Sequence, residues 1–216
     1  MMGVFDSEAR KVTGSFIDSW SSTANNTTFS FSNMVPARAV TTRYVLVLLW
    51  DGNNNRALMS GSIAGAATTT REIDSIANQR VYIVDAEVPA GAAADVDVTL
   101  SGNLGLGGVF LAALFDVGSG VYRAGDSDAA NDNSSSSNLA VINGEYVIGG
   151  AMAFRAAGGA GNYAWAGLTE LVDVDLRDSR LTAAAHAVTA DGTLSIVAGV
   201  PTADRNVFAV AAYEPG

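Results

Sequence analysis

The stretch "RYVLVLLW", Arg43–Trp50, decides the fold. After its opening arginine every residue is aliphatic or aromatic. A strand with one wet face alternates apolar and polar side chains; an unbroken apolar run of this length marks a strand covered on both faces. The complementary pattern lies downstream in "ADVDVTLSG", Ala94–Gly102. There Val96, Val98 and Leu100 point one way and Asp95, Asp97 and Thr99 the other, as in a half-buried antiparallel strand. "TTFSFSNM" alternates too, with Phe29 and Phe31 on one side and serines on the other.

The series continues through "RVYIVDAEV" (Arg80–Val88), "GGVFLAALFDV" (Gly107–Val117), "EYVIGGAMAF" (Glu145–Phe154), "NYAWAGLTEL" (Asn162–Leu171), "RLTAAAHAV" (Arg180–Val188), "TLSIVAGV" (Thr193–Val200) and "NVFAVAAY" (Asn206–Tyr213). Gly, Pro, Asn and Asp separate the runs in "DGNNN", "PAGAA", "VGSG", "ADG" and "PTADRN". Regularly spaced short strands with such punctuation predict an all-β protein with little helix, an antiparallel β-sandwich of jelly-roll type. The last four runs, from Tyr163 to Tyr213, are expected to be consecutive antiparallel neighbours because their connections are short. Only "TREIDSIANQ" carries a helical spacing, Ile73 to Ile76, and is given one helical turn. Many strand positions hold alanine or glycine, which suits close approach of another sheet or another chain. No repeat of fixed period is evident. The chain divides into an N-terminal arm and first strand, residues 1–22, and one sandwich domain, residues 23–216.

A chain of 216 residues can bury a large core without staples. Cysteine is absent, which removes disulfides, thiolate nucleophiles and zinc–sulfur sites. A formal charge of −10, with Lys11 the only lysine, argues against a nucleic-acid partner, because phosphate binding needs basic clusters. The longest apolar run, "GGVFLAALFDV", is too short to span a bilayer and holds Asp116, so no membrane partner is expected. "MMGVFDSEARK" lacks the order of a signal peptide, and the protein is expected to be made in a cytoplasm. That segment mixes Met1, Met2, Val4 and Phe5 with charges. It is expected to dock on a neighbouring subunit as an added strand, with Phe5 as its anchor.

The candidate chemistry is thin. "AGDSDAANDNSSSSN", Ala124–Asn138, offers Asp126, Asp128 and Asp132. An EF-hand needs ligands at positions one, three and five, glycine at six and glutamate at twelve; here Ala130, Asn131 and Ser137 break the pattern. The tract is therefore expected to be one exposed loop without a tightly bound metal. His186 is the only histidine and lies within a strand run, Ser62 lacks the flanks of a nucleophile elbow, and no triad is legible. The acids Asp95, Asp97, Asp173 and Asp175 occupy polar strand positions, which leaves no local trace of a glycosidase pair. Gly105 and Gly107 miss the spacing of a phosphate loop. Asp51 in "DGNNN" reads as a tight turn. Tyr163 and Trp165, beside a glycine-rich stretch, could form an aromatic platform for a sugar. No catalytic, cofactor or metal residue is assigned, and the protein is read as a non-enzyme.

"TTFSFSNMVPARAVTTRYVLVLLW", then a Gly/Ala/Thr-rich stretch, then "VYIVDAEVPAGAAADVDVTLSG", resembles β-sandwich structural proteins of tailed bacteriophages and phage-like gene transfer agents. The resemblance spans Thr27 to Gly102. It implies a virion component without catalytic residues: a capsid decoration (cement) protein, a head spike or a tail part. Its expected partners are major capsid or tail subunits and copies of itself. The competing reading is a carbohydrate-binding or adhesin-like module that recognises a host glycan.

Overall fold

The computed structural model describes residues 11–52, 54–155 and 161–216. The first half of the chain forms β1 (Ser15–Ser22), β2 (Thr28–Val35), β3 (Thr42–Asp51), β4 (Leu58–Ile63), β5 (Ala66–Ala67), β6 (Thr69–Ile76), β7 (Gln79–Val88), β8 (Ala94–Leu100) and β9 (Val109–Asp116). The second half forms β10 (Val121–Ala130), β11 (Ser134–Val141), β12 (Tyr146–Phe154), β13 (Ala164–Ala166), β14 (Thr169–Leu176), β15 (Ser179–Ala187), β16 (Gly192–Gly199) and β17 (Arg205–Glu214). No helix occurs among the described residues, and the registered strand pairs are antiparallel.

Each half makes two sheets. The first half builds an inner sheet, β1-β9-β3-β7-β6, and an outer sheet, β2-β8-β4-β5. The second builds an inner sheet, β10-β17-β12-β15-β14, and an outer sheet, β11-β16-β13. Strand for strand the orders coincide: β10 takes the place of β1, β12 of β3, β15 of β7 and β17 of β9, while β11, β16 and β13 stand for β2, β8 and β4. The fold is thus a tandem duplication, although the sequence shows no fixed period.

The two inner sheets pack face to face. β6 lies over β10 and β17, β7 over β17 and β12, and β3 over β12. The order of one sheet runs opposite to that of the other. The Ser179 hydroxyl meets Asp51, the last residue of β3, and Ser179 is itself paired with Phe154, the last residue of β12. β3 and β12 therefore run the same way, and an approximate twofold axis lies along them. Such an axis makes the contact isologous, with equivalent patches meeting each other.

Four layers enclose three cores. Phe29, Phe31, Leu46, Leu48, Trp50, Val98 and Phe110 fill the first sandwich. Leu139, Val147, Ala184, Ile196, Phe208 and Val210 fill the second. Between them lies a core common to both halves, with Val45, Val47, Leu49, Val81, Ile83, Leu111 and Phe115 against Ile148, Met152, Leu181, Val207 and Tyr213. This explains the two sequence patterns. Every residue of β9 is buried, as is every residue of β3 but Arg43, whereas β11 alternates exposed and buried along its length. Burying one Leu or Phe contributes about 1.5–3 kcal/mol, so the central layer alone is a dominant stabilising term.

Small residues set the spacing of the layers. A Cβ on Gly150 would stand 2.3 Å from Val47 Cγ1, and one on Gly149 would stand 2.8 Å from Leu168 Cδ1. Successive glycines on β12 thus admit the shared core on one side and the second sandwich on the other.

Three expectations are corrected. "TREIDSIANQ" has no helical turn: it is edge strand β6 followed by the turn Ala77–Asn78, with Ala77 at φ 49°. Ile76 packs on the shared core while Ile73 is exposed, so their spacing of three reflects opposite faces of a strand. The tract Asp126–Asn138 is not a loop. It comprises the end of β10, a short turn and the start of β11, with Asp126 accepting the Ser137 hydroxyl and Asp128 the Ser136 N–H across the turn. The last four runs are not consecutive neighbours. β14 pairs with β15, but β16 crosses to the outer sheet and β17 returns between β10 and β12. The arm's anchor, Phe5, lies outside the described residues; Val12, just after the arm, is buried and donates its N–H to the Gly144 carbonyl at 2.8 Å.

The substitution Gly150→Val forces a side chain into the shared core and is expected to cost about 1–3 kcal/mol. In a chain of this size that is a Tm loss of roughly 2–4 °C per kcal/mol. Ala140→Val, on the exposed face of β11, should stay within about 0.5 kcal/mol. Urea denaturation of both variants checks the pair.

Candidate functional site

The side chains singled out from sequence are mostly occupied in holding the fold. Asp126 accepts the Ser127 N–H at 2.9 Å and the Ser137 hydroxyl at 2.7 Å. Asp128 accepts the Ser136 N–H at 3.1 Å, and Asp132 accepts the Asn133 N–H at 2.6 Å. Asp126 and Asp128 tie β10 in the inner sheet to β11 in the outer one. Among the described residues no group of three or more His, Asp or Glu side chains could hold a metal ion. Ser62 donates to Asp97 at 3.5 Å, beside a 2.5 Å bond from Ser30 to the same acid. His186 lies half-buried on β15 in the other half of the chain, so the two are not brought together. Asp173 and Asp175 both pair with Arg180. Gly105 and Gly107 adopt φ of 88° and 94° in the connection from β8 to β9, where a left-handed backbone favours glycine.

The aromatic pair is directed inward. Tyr163 is buried and donates its hydroxyl to Asn206 at 3.0 Å. Trp165 donates its indole N–H to Thr182 at 3.0 Å and packs near Phe208. Only part of Trp165 reaches a shallow groove formed with Ala164, Ala166, Val197 and Gly199. Tyr163 and the inner part of Trp165 close the second sandwich, and the rest of Trp165 lines that groove.

Two polar features lie at the margins of the shared core. The first joins the inner sheets along one edge. Asp85, 1% exposed, accepts Arg71 at 2.8 and 2.9 Å and Arg43 at 3.2 Å. Arg71 also stands 5.2 Å from the Tyr122 ring centroid, across the interface on β10. Tyr122 donates to Glu72 at 2.5 Å. Burial, reinforced by that bond and by the Glu72 charge, pushes the Tyr122 phenol up to about 12. Arg123 and Glu145 form a further ion pair in the second half.

The second feature is a cleft of about 390 Å³ at the end of the twofold axis where β3 and β12 finish. Asp51, Gly52, Asn78, Leu106 and Gly107 come from the first half; Phe154, Arg177, Asp178, Ser179 and Arg205 come from the second. Asp51 is 9% exposed and accepts the Gly52 N–H at 2.7 Å and the Ser179 hydroxyl at 3.2 Å. Burial raises its carboxyl above the ordinary aspartate range, against the opposing pull of those two bonds and of Arg205. The Arg205 guanidinium lies 4.4 Å from the Phe154 ring centroid. In the sequence Asp51 reads as part of a turn and Asn78 falls in "TREIDSIANQ", and nothing in those local patterns reveals that equivalent strand ends of the two halves converge there.

No helix among the described residues is long and apolar enough to cross a membrane. No protein-family model and no curated protein sequence matches the chain.

Two outcomes are expected. Asp85→Asn leaves Arg71 with a neutral partner and Arg43 with only the exposed Glu87, and should destabilise by about 3–5 kcal/mol, read from the urea midpoint. Tyr122 ionises less readily when folded than when unfolded, so the stability linked to its neutral form is complete below pH 10 and is lost as pH rises towards 12. Tyr122→Phe should flatten the loss of stability over that interval, measured by denaturant titrations at stepped pH.

Proposed function

We propose that the protein is a non-enzymatic structural subunit of a virion, a capsid decoration (cement) or head-spike protein. It binds major capsid or tail subunits and copies of itself, and it resides in the particle after synthesis in the host cytoplasm. The observation that carries this reading is the division between inside and outside. The inner layers are committed to packing and ion pairs, while both outer sheets present hydroxyl-rich faces. On one outer sheet Thr28 pairs with Thr99 and Ser30 with Asp97. On the other, Asn138 pairs with Ser195 and Ala140 with Thr193. β2 has one strand neighbour, which leaves an edge open to an added strand, whereas the free edge of β11 is partly taken by Asp128, which accepts the Ser136 N–H. A rigid body with such faces suits repetitive attachment better than turnover of a substrate.

Each half is further read as a jelly roll. The orders β1-β9-β3-β7 and β2-β8-β4-β5 support this, with the strand after β4 starting in the outer sheet as β5 and finishing in the inner sheet as β6. Residues 23–216 are read as one domain, because the halves share a core.

Virions that lack the protein, mixed with the purified chain, provide the test. Sedimentation and electron microscopy are expected to give saturable binding at symmetry-related positions. A chain that remains unbound at large molar excess contradicts the proposal.

A further inference from the structure

The cleft at the end of the twofold axis holds chemistry that a purely structural role does not use. The protein is strongly acidic, and its arginines are mostly neutralised or hydrogen-bonded. Arg38, Arg43, Arg71, Arg123 and Arg180 form carboxylate ion pairs. Arg56, Arg80 and Arg155 donate to carbonyl or hydroxyl oxygens. Arg177 and Arg205 differ: among the described residues neither lies within ion-pair distance of a carboxylate, and both line this cleft.

A second observation concerns the layer behind the cleft. Gln79 is fully buried, and neither its amide oxygen nor its nitrogen has a hydrogen-bond partner. Strand alternation puts its side chain on the face of Val81 and Ile83, which belong to the shared core. The register Trp50↔Arg80 extends by one residue to set Gln79 opposite Asp51. An unpartnered amide thus lies beside the carboxyl that lines the cleft. Buried amides are normally satisfied, so Gln79 calls for a polar partner.

We propose that the cleft binds a small organic monoanion in which one carboxylate is joined to neighbouring hydroxyls, the chemistry of sugar acids and hydroxy acids. Arg177 and Arg205 take the carboxylate, for which the planar guanidinium is suited. Asn78, Asp178, Ser179 and Asp51 supply the mixed donors and acceptors that hydroxyls require, with the Gln79 amide behind Asp51. The volume matches the lower range of small-molecule sites. Asp51 and Asp178 balance the two arginines, which disfavours a multiply charged phosphate.

Isothermal titration of the full chain tests the site, with D-glucuronate as the cyclic probe and D-gluconate as the open-chain probe. At least one should bind saturably, with glucose and inorganic phosphate weaker by about tenfold or more. Arg177→Asn keeps a residue that tolerates the φ of 59° at this turn while removing the guanidinium. It should weaken binding by about tenfold at unchanged Tm, and Arg205→Gln should do the same. Absence of binding by both acids, phosphate binding as tight as theirs, or unchanged affinity in both variants overturns the proposal. None of these results bears on attachment to a particle.

Discussion

The contact between the two inner sheets is the interaction on which the rest of the structure depends. β3, β7 and β9 carry apolar side chains on both faces, and a single two-layer sandwich would leave one of those faces in water. The same holds for β12, β15 and β17. Each half therefore covers the exposed face of the other, and Val47, Leu49, Ile83 and Phe115 meet Ile148, Met152, Leu181 and Tyr213 in one core. Close approach requires the small residues of β12; at Gly150 even one added carbon would collide with Val47. The approximate twofold symmetry is what two similar units produce when they bury equivalent surfaces against each other.

This arrangement also decides where polar groups can stand. Within the layers they must be paired, as Asp85 is by Arg43 and Arg71, because an isolated buried charge is strongly unfavourable. At the ends of the strands the layers part, and side chains from both halves converge without being forced into contact. The cleft around Asp51, Arg177 and Arg205 is such an end. Its existence is a consequence of the duplication, since neither half alone supplies both walls.

Much of the fold was legible in the sequence, and the unread part has physical causes. The apolar run of Arg43–Trp50 correctly marked a strand covered on both faces, and the alternation of Ala94–Leu100 marked one with a polar face. The third and fourth layers went unread because periodicity reports burial without naming what does the burying. Ser135 and Ser137 occupy buried positions of β11, so the alternation that defines that strand was hidden by residue type. The duplication had a signal: "VFLAALFD" at Val109–Asp116 and "VFAVAAYE" at Val207–Glu214 share Val-Phe, a central alanine and an aromatic–acid end. The hairpin turns at Ala77 and Arg177 share a left-handed residue as well. Unequal connections between strands erased any fixed period. The cleft was illegible because its residues come from separate turns and strand ends that only tertiary packing unites.

The proposed attachment to a particle would gain from this construction, because halves held by one shared core present their outer faces in fixed relation. Calorimetric unfolding of the full chain is the most direct measurement of that coupling. The shared core predicts one transition whose calorimetric and van't Hoff enthalpies agree, as for a single cooperative unit. Two resolved transitions, each with about half of the total enthalpy, would contradict it, since the halves would then be stable apart and the central layer a mere contact between them.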